Sequence, residues 1–242
     1  MGCAAVSNGR PKHLFDQVSI LVPVFNNAET LQPLVKQVTQ AVQGSVHNVE
    51  FIFVEDASRD TSAEVLREMT GGQIRVIYNP KNIGQQASIH TGLAACTGQA
   101  VVVMDADLQD PPRAIPSLLH ALHNGEYDAS FATRVGTYQS DWRMLTSRLF
   151  RFLVRRLTNL PQGAGGFVAF TADVARVLAD KNNSRFYLAG MIGCGGYRIH
   201  AVPVERNLRI NGQSAYTGPM RLSLGLMNLM VVLKERFSHA QK

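Results

Sequence analysis

Cysteine is scarce, acid is outnumbered by base, and no long apolar run occurs in this sequence. Its three cysteines, Cys3, Cys96 and Cys194, are far apart and odd in number. They form neither a metal-ligand spacing nor a disulfide framework, and a reducing compartment is the simplest reading. No stretch of roughly 18 apolar residues is present, so no transmembrane helix is expected. The opening segment, MGCAAVSNGRPK, lacks an apolar core, and no secretory signal is expected there. Val6 stands where the myristoylation pattern takes Ser or Thr, which discounts lipidation. Internal repeats and low-complexity segments are absent too. With 18 acidic against 24 basic residues the formal net charge is +6. That balance points to an anionic partner: nucleic acid, a phosphorylated substrate or an acidic membrane surface. The basic residues are not interleaved with aromatics as in recognised nucleic-acid modules, so nucleic acid is not expected.

What is present suffices for one large domain. Of 242 residues, 45% are hydrophobic, enough for a proper core. Residues 1–17 are polar and patternless and read as a flexible tail. From there short apolar runs alternate with helical periods. VSILVPVF (18–25), VEFIFVE (49–55), IRVIY (74–78), AVVVMD (100–105) and DASFAT (128–133) read as strands. They are nearly continuous rather than alternating, as strands covered on both faces should be. Leu31, Leu34, Val35, Val38 and Val42 recur at helical spacing, as do Ile115, Leu118, Leu119 and Leu122. The second of these helices follows Asp110, a plausible N-cap, and Pro111-Pro112 at the first turn. Strand–helix alternation predicts an α/β fold with a mostly parallel central sheet flanked by helices, and ligands bind beyond the carboxyl ends of such strands. Beyond residue 140, DWRMLTSRLFRFLVRRLTN forms a basic amphipathic pattern. A Gly-rich turn, PQGAGGF, a short helix over about 171–180, the run YRIHAVPVER and a very apolar C-terminal helix follow.

Polar clusters mark three strand ends: NNAE, EDASRD and DADLQD. Asp105 and Asp107 bring two carboxylates to one point, which is unfavourable without a cation. A solvated loop is the bland alternative. The preceding buried-looking strand and Gln109, a neutral oxygen donor, favour a site for Mg²⁺ or Mn²⁺. Asp56, just past the second strand, can accept hydrogen bonds from a nucleobase or ribose; Ser58 or Asp60 can start the next helix. NIGQQASIHTGL opens a helix after a Gly turn, which by itself carries little.

In their order along the chain, SILVPVFNNAETL, VEDASRDTS, NPKNIGQQASIHTGL, VVVMDADLQDPP, ATR and RINGQS resemble the family 2 glycosyltransferases of the GT-A fold. The likeness is to the polyprenyl-phosphate sugar transferases among them, spans residues 19–214, and is most specific in DADLQDPP taken with N-x-G-Q-Q. It implies an inverting transfer from a UDP- or GDP-sugar to a polyprenyl phosphate, dependent on Mg²⁺ or Mn²⁺. It implies that Asp105, Asp107 and Gln109 hold the metal and the donor diphosphate. Pro23, Phe25, Asn27 and Asp56 fall at the nucleoside pocket, and Arg134 and Arg209 on diphosphate or lipid phosphate. Arg143 or Arg148 is a third such arginine. The domain implied is 18–215, with a C-terminal amphipathic helix over 216–242.

The chain departs from the family pattern in four places. Glu55-Asp56 replaces the usual Asp-Asp. Asn27 opens the first loop's acidic run, with Glu29 retained. Ala215 replaces a lysine. The Gly-rich turn has no carboxylate between Asp141 and Asp173, where relatives usually carry an Asp. That last change supports a phosphate acceptor or a weakened, redirected activity. A soluble hydroxyl acceptor and a non-catalytic nucleotide-sugar-binding subunit are the alternatives. Arg148, Arg151 and Arg155 share one face of 141–158 and an apolar row shares another. This reads as an interfacial helix or an ordinary surface helix, and the C-terminal helix as membrane-docked, partner-docked or simply buried. With a lipid acceptor the protein is expected at the cytoplasmic face of a membrane. A separate membrane subunit, further helices of its own as in many relatives, or a homo-oligomer are all compatible with this.

Overall fold

The computed structural model describes residues 13–134, 156–181, 186–206 and 218–239, with side chains of the last segment described over 227–237. Seven strands form one sheet in the order β3-β2-β1-β4-β6-β5-β7. They are β1 (Phe15–Val24), β2 (Val46–Glu55), β3 (Ile74–Tyr78), β4 (Ala100–Val103), β5 (Ala129–Arg134), β6 (Ala164–Thr171) and β7 (Ile199–Val204). The helices are α1 (Ala28–Val42), α2 (Ser62–Met69), α3 (Gln85–Leu93), α4 (Ile115–His123), α5 (Ala172–Ala179), α6 (Leu188–Cys194) and α7 (Gly218–His239). All five expected strands are present, within a few residues of the expected ends.

Strand alternation builds two apolar layers. In β1, Val18, Ile20, Val22 and Val24 pack with Leu31, Leu34 and Val38 of α1 and Leu118 and Leu122 of α4. Leu21 points to the other face, with Ile89 and Leu93 of α3 and Leu178 of α5. Helices on both faces explain why the strands read as continuous apolar runs.

Strand direction decides where function can gather. β1 is parallel to β2 and β4, β2 to β3, and β5 to β7. Only β6 is reversed, antiparallel to both β4 and β5. The carboxyl ends of the other six strands therefore share one edge with the amino end of β6. Pro23 lies beyond the last β1–β4 pair, Leu21 with Val103, where its missing N–H removes no ladder bond on that side.

A polar network ties down the opposite edge. Ser19 Oγ, fully buried, donates to Glu50 Oε1 (2.5 Å) and accepts from the Gly98 N–H (2.8 Å). Thr97 donates to the same carboxylate through backbone N–H and hydroxyl, and Arg75 Nη2 reaches Glu50 Oε2 at 2.8 Å. Burial pushes Glu50 up, but the bonds from Ser19 and Thr97 and the Arg75 charge outweigh it and hold Glu50 below its ordinary value.

One expectation changes in the structure. Asp110 does not cap a helix. Pro111 and Pro112 follow it and have no N–H to offer, and its carboxylate is engaged elsewhere. Over its described side chains the C-terminal helix packs on the domain: Val231 and Val232 are buried, Glu235 pairs with Lys181, and Arg236 Nη1 donates to the Leu157 carbonyl (2.9 Å). Met230 and Phe237 are exposed on its outer side. Among the described residues no helix is long and apolar enough to cross a membrane. Most of the basic amphipathic pattern, with Arg143, Arg148, Arg151 and Arg155, lies outside the described residues, as do Arg209 and Ala215.

A Cβ at Gly98 would sit 2.6 Å from the Ser19 backbone nitrogen. Gly98→Ala is therefore expected to destabilise the fold by about 2 kcal/mol or more, measured by urea denaturation. Glu50 contributes stability above the ordinary carboxylate range, lost as pH falls through its depressed folded-state value. Thermal melts across acidic pH should show a shallower acid limb in Glu50→Gln than in the wild type.

Candidate functional site

Each strand end on the shared edge delivers polar groups, and the loops carrying them are laced together. After β1, the Asn26 N–H donates to Ser58 Oγ (3.0 Å) and Asn26 Oδ1 accepts from the Arg59 N–H (2.7 Å). Asn27 Oδ1 accepts from the Phe25 N–H (3.2 Å), while the Asn27 N–H donates to Ser62 Oγ (2.8 Å). Asp60 accepts from the N–H groups of Ala28 and Ser62, bridging the starts of α1 and α2. After β2, Glu55 folds back to accept from the N–H groups of Ala57 and Ser58.

Backbone strain gathers in the same loops. Among the described residues the non-glycine positions with positive φ are Asn26 (56°), Ala57 (54°) and Leu108 (59°). They follow β1, β2 and β4. For residues other than Gly, Asn or Asp this conformation costs roughly 1–2 kcal/mol, and such strain concentrates at functional sites.

Asp56 sits at the expected strand end, but its carboxylate faces inward and is 2% exposed. It accepts from Asn79 Nδ2 (2.9 Å) and from the N–H groups of Ile83 (2.8 Å) and Gly84 (2.8 Å). Asp56 thus holds the loop after β3. Pro23 is buried within β1, and Phe25 is half-buried at the loop beside it.

The acidic cluster follows β4. Asp105 keeps 31% of its side-chain surface exposed, while Asp110 is buried. Asp107 and Gln109 are half-buried, and Asp107 Oδ1 accepts from the Gln109 N–H (3.1 Å). Gln85, opening α3, donates to Asp105 Oδ1 (2.6 Å). Its neighbour Gln86 accepts from the Leu188 N–H (2.9 Å), tying α3 to the start of α6. Loss of hydration, then Asp110 and Asp107, push Asp105 up to about 6, against Arg206 and Arg134.

Two arginines answer these carboxylates. Arg206, just beyond β7, donates from Nε to Asp110 Oδ1 (2.6 Å) and from Nη1 to Gln109 Oε1 (2.9 Å), and its Nη2 lies 3.8 Å from Asp105 Oδ2. Burial alone would weaken its hold on the proton, but the Asp110 bond and the charges of Asp110, Asp105 and Asp107 strengthen it. Arg134, ending β5, borders a small cavity with Arg206, Asp110, Gly165 and Phe167. The amino end of β6 runs alongside: a Cβ at Gly165 would lie 3.4 Å from Arg134 Nη2, and one at Gly166 3.8 Å from Asp105 Oδ1.

The site thus gathers Asp105, Asp107, Gln109 and Arg134 as expected, and leaves Arg209 outside the described residues. Arg206, Gln85 and the close approach of Gly165 and Gly166 were missed. Arg206 had a readable signal, since it ends a strand-like run, VPVER. Three carboxylates against two guanidiniums leave an excess negative charge and hard oxygen donors, which suits a divalent cation. Among the described residues no three His, Cys, Asp or Glu side chains are grouped to enclose a metal. Mg²⁺ and Mn²⁺ do not need that, because they bind through one or two carboxylates and complete their shell with water and phosphate oxygens.

Replacing Asp56 by Ala removes the acceptor of the Ile83 and Gly84 N–H groups and one of the two acceptors of Asn79 Nδ2, which keeps Ser88 Oγ. The expected loss is about 3 kcal/mol of stability, read from denaturant melts, with faster amide exchange over 79–85.

Comparison with known proteins places this geometry in a family. The model of glycosyl transferase family 2 matches residues 19–182. The chain is 31% identical over 218 residues to the undecaprenyl-phosphate 4-deoxy-4-formamido-L-arabinose transferase of Edwardsiella ictaluri, covering 88% of this chain and 65% of that protein. It is 33% identical over 222 residues to the protein of the same name from Pseudomonas savastanoi pv. phaseolicola, covering 88% and 63%. The chain therefore spans somewhat less than two thirds of the length of these relatives. Among solved structures it is similar to glucosyl-3-phosphoglycerate synthase from Mycobacterium tuberculosis in complex with Mn²⁺ and UDP-glucose, with TM-score 0.63, 20% identity, and 91% and 79% of the two chains covered. It is also similar to a mannosyltransferase from Pyrobaculum calidifontis in complex with GDP-mannose and Mn²⁺, with TM-score 0.58, 16% identity, and 94% and 74% covered. These likenesses establish the GT-A fold. The family match contains the loops after β1, β2, β3 and β4, Arg134 and the amino end of β6, and on that ground the chain belongs to glycosyl transferase family 2.

Proposed function

We propose that the protein is an inverting glycosyltransferase that moves a sugar from a nucleotide-diphosphate donor to a polyprenyl phosphate at a membrane surface. The observation that carries this reading is the meeting of Asp105, Asp107 and Arg134 at one sheet edge beside a glycine turn that brings no carboxylate. The names of the matched relatives, which act on undecaprenyl phosphate, support the acceptor class.

Roles follow from charge. The glycosidic C–O bond to the diphosphate breaks as an acceptor phosphate oxygen bonds to the anomeric carbon from the opposite side. Negative charge then builds on the leaving diphosphate. A divalent cation, when bound, neutralises part of that charge. Asp107 and Asp105 would hold it, with Gln109 as the neutral donor. Gln85 fixes the Asp105 carboxylate. Arg134 answers the remaining charge and aims the acceptor phosphate, with Arg209 assigned the same task from beyond the described segment. A phosphate monoester is already anionic near neutral pH, so no general base is required. It needs positive side chains that desolvate and align it. Pro23, Phe25 and the loops held by Asn27 and Asp56 form the nucleoside end. The basic pattern over 141–158 supports peripheral attachment to an anionic leaflet, the cytoplasmic face being the assignment.

Purified protein given undecaprenyl phosphate and a panel of UDP- and GDP-sugars with Mn²⁺ should transfer one sugar, and chelation with EDTA should stop it. Asp107→Ala should lower transfer by roughly 100-fold or more and abolish the Mn²⁺-dependent thermal shift by the donor. Undiminished transfer by that variant would rule the mechanism out. Transfer to a soluble hydroxyl instead of the lipid would replace the acceptor.

A further inference from the structure

Arg206 has no part in the roles derived above, yet it is the most tightly held cation at the site. Its side chain is 13% exposed. Its guanidinium reaches three members of the DADLQD loop: Asp110 at 2.6 Å, Gln109 at 2.9 Å and Asp105 at 3.8 Å. Two of those three, Gln109 and Asp105, are in the donor set assigned to the divalent cation. A guanidinium and a divalent ion cannot share those oxygens without standing a few ångströms apart, where like charges repel strongly.

We propose that Arg206 is a latch that occupies the cation's side of the loop until a nucleoside diphosphate arrives, so that metal and nucleotide bind as a coupled pair. This rests on the reading of the site as metal- and diphosphate-binding. The buried carboxylate of Asp110 anchors the latch and is not among the metal donors, so Arg206 keeps one partner when it leaves Gln109 and Asp105. A diphosphate supplies new acceptors for the freed guanidinium prongs and new ligands for the metal. Metal alone gains the loop's oxygens but must displace Arg206 with no diphosphate to receive it. Nucleotide therefore strengthens metal binding, and by linkage metal strengthens nucleotide binding by the same factor. The immediate neighbourhood favours such a swing. Arg134 shares the small cavity beside Arg206, and the opposing glycines put no side chain into it.

The test is Mn²⁺ affinity, read by electron paramagnetic resonance without sugar transfer, for wild type, Arg206→Gln and Arg206→Lys, each with and without UDP or GDP. Removing one charge beside a divalent ion predicts about tenfold tighter Mn²⁺ binding to Arg206→Gln without nucleotide. The nucleotide-induced gain should shrink by the same factor. Arg206→Lys, which keeps the charge, should stay near wild type. Unchanged or weaker Mn²⁺ binding by folded Arg206→Gln overturns the latch and makes Arg206 a brace. If that variant does not fold, wild type still decides. Mn²⁺ affinity that does not rise with UDP or GDP, beyond what their own chelation gives, overturns the proposal. A wild type that binds no Mn²⁺ with either nucleotide removes the underlying reading as well.

Discussion

Three carboxylates within six residues of one strand terminus set the terms for the rest of this structure. Asp105, Asp107 and Asp110 cannot all be ionised in a crowded, partly dehydrated place unless positive charge is brought to them. The rise of Asp105 to about 6 records that conflict. The fold responds with side chains from distant strands. Arg134 comes from the end of β5 and Arg206 from beyond β7, and Gln85 steadies one oxygen of Asp105. Two arginines leave the balance one charge short, and that shortfall is the physical case for a cation arriving with the substrate.

Convergence of this kind depends on a single reversal in the sheet. Had β6 run parallel to its neighbours, the glycine turn would lie at the far edge and a different segment would face Arg134. Because β6 is antiparallel to β4 and β5, its amino end returns to the carboxyl ends of the others. The positive-φ residues Asn26, Ala57 and Leu108 lie on that edge, and backbone N–H groups donating to Glu55, Ser58 and Asp60 fix the first two loops. Under the proposed function, that rigidity lets diphosphate and nucleoside contacts form without the loops first being ordered.

Much of this was readable from sequence where chemistry is local. The strands declared themselves through apolar runs, because helices cover both faces. The DADLQD cluster was readable because acid directly after a buried strand needs a reason. Where a role depended on a distant partner, reading failed. Asp110 looked like a cap, but two prolines removed its local donors and Arg206, 96 residues away, took it. The partners of Asp56 were not readable either, since the N–H groups of Ile83 and Gly84 reach it from a loop 27 and 28 residues on. VPVER marks Arg206 as the end of a strand-like run, but nothing in it says that β7 lies beside β5. Polarity and strand ends are written along the chain, whereas pairing across the sheet is not.

The glycine turn bears most directly on the acceptor. A side chain at position 165 would begin 3.4 Å from the Arg134 guanidinium, and one at 166 would begin 3.8 Å from Asp105. An aspartate at 165 would answer Arg134 with a charge of its own, and at 166 it would add a fourth carboxylate to a cluster already one charge short. Glycine at both positions does neither. Arg134 then keeps its positive charge beside the small cavity it borders, and the space at the glycines stays open. A hydroxyl acceptor gains nothing from that arrangement, since it needs a base. A phosphate gains a counter-charge and room to approach, and that difference is the electrostatic argument for the proposed phosphate acceptor.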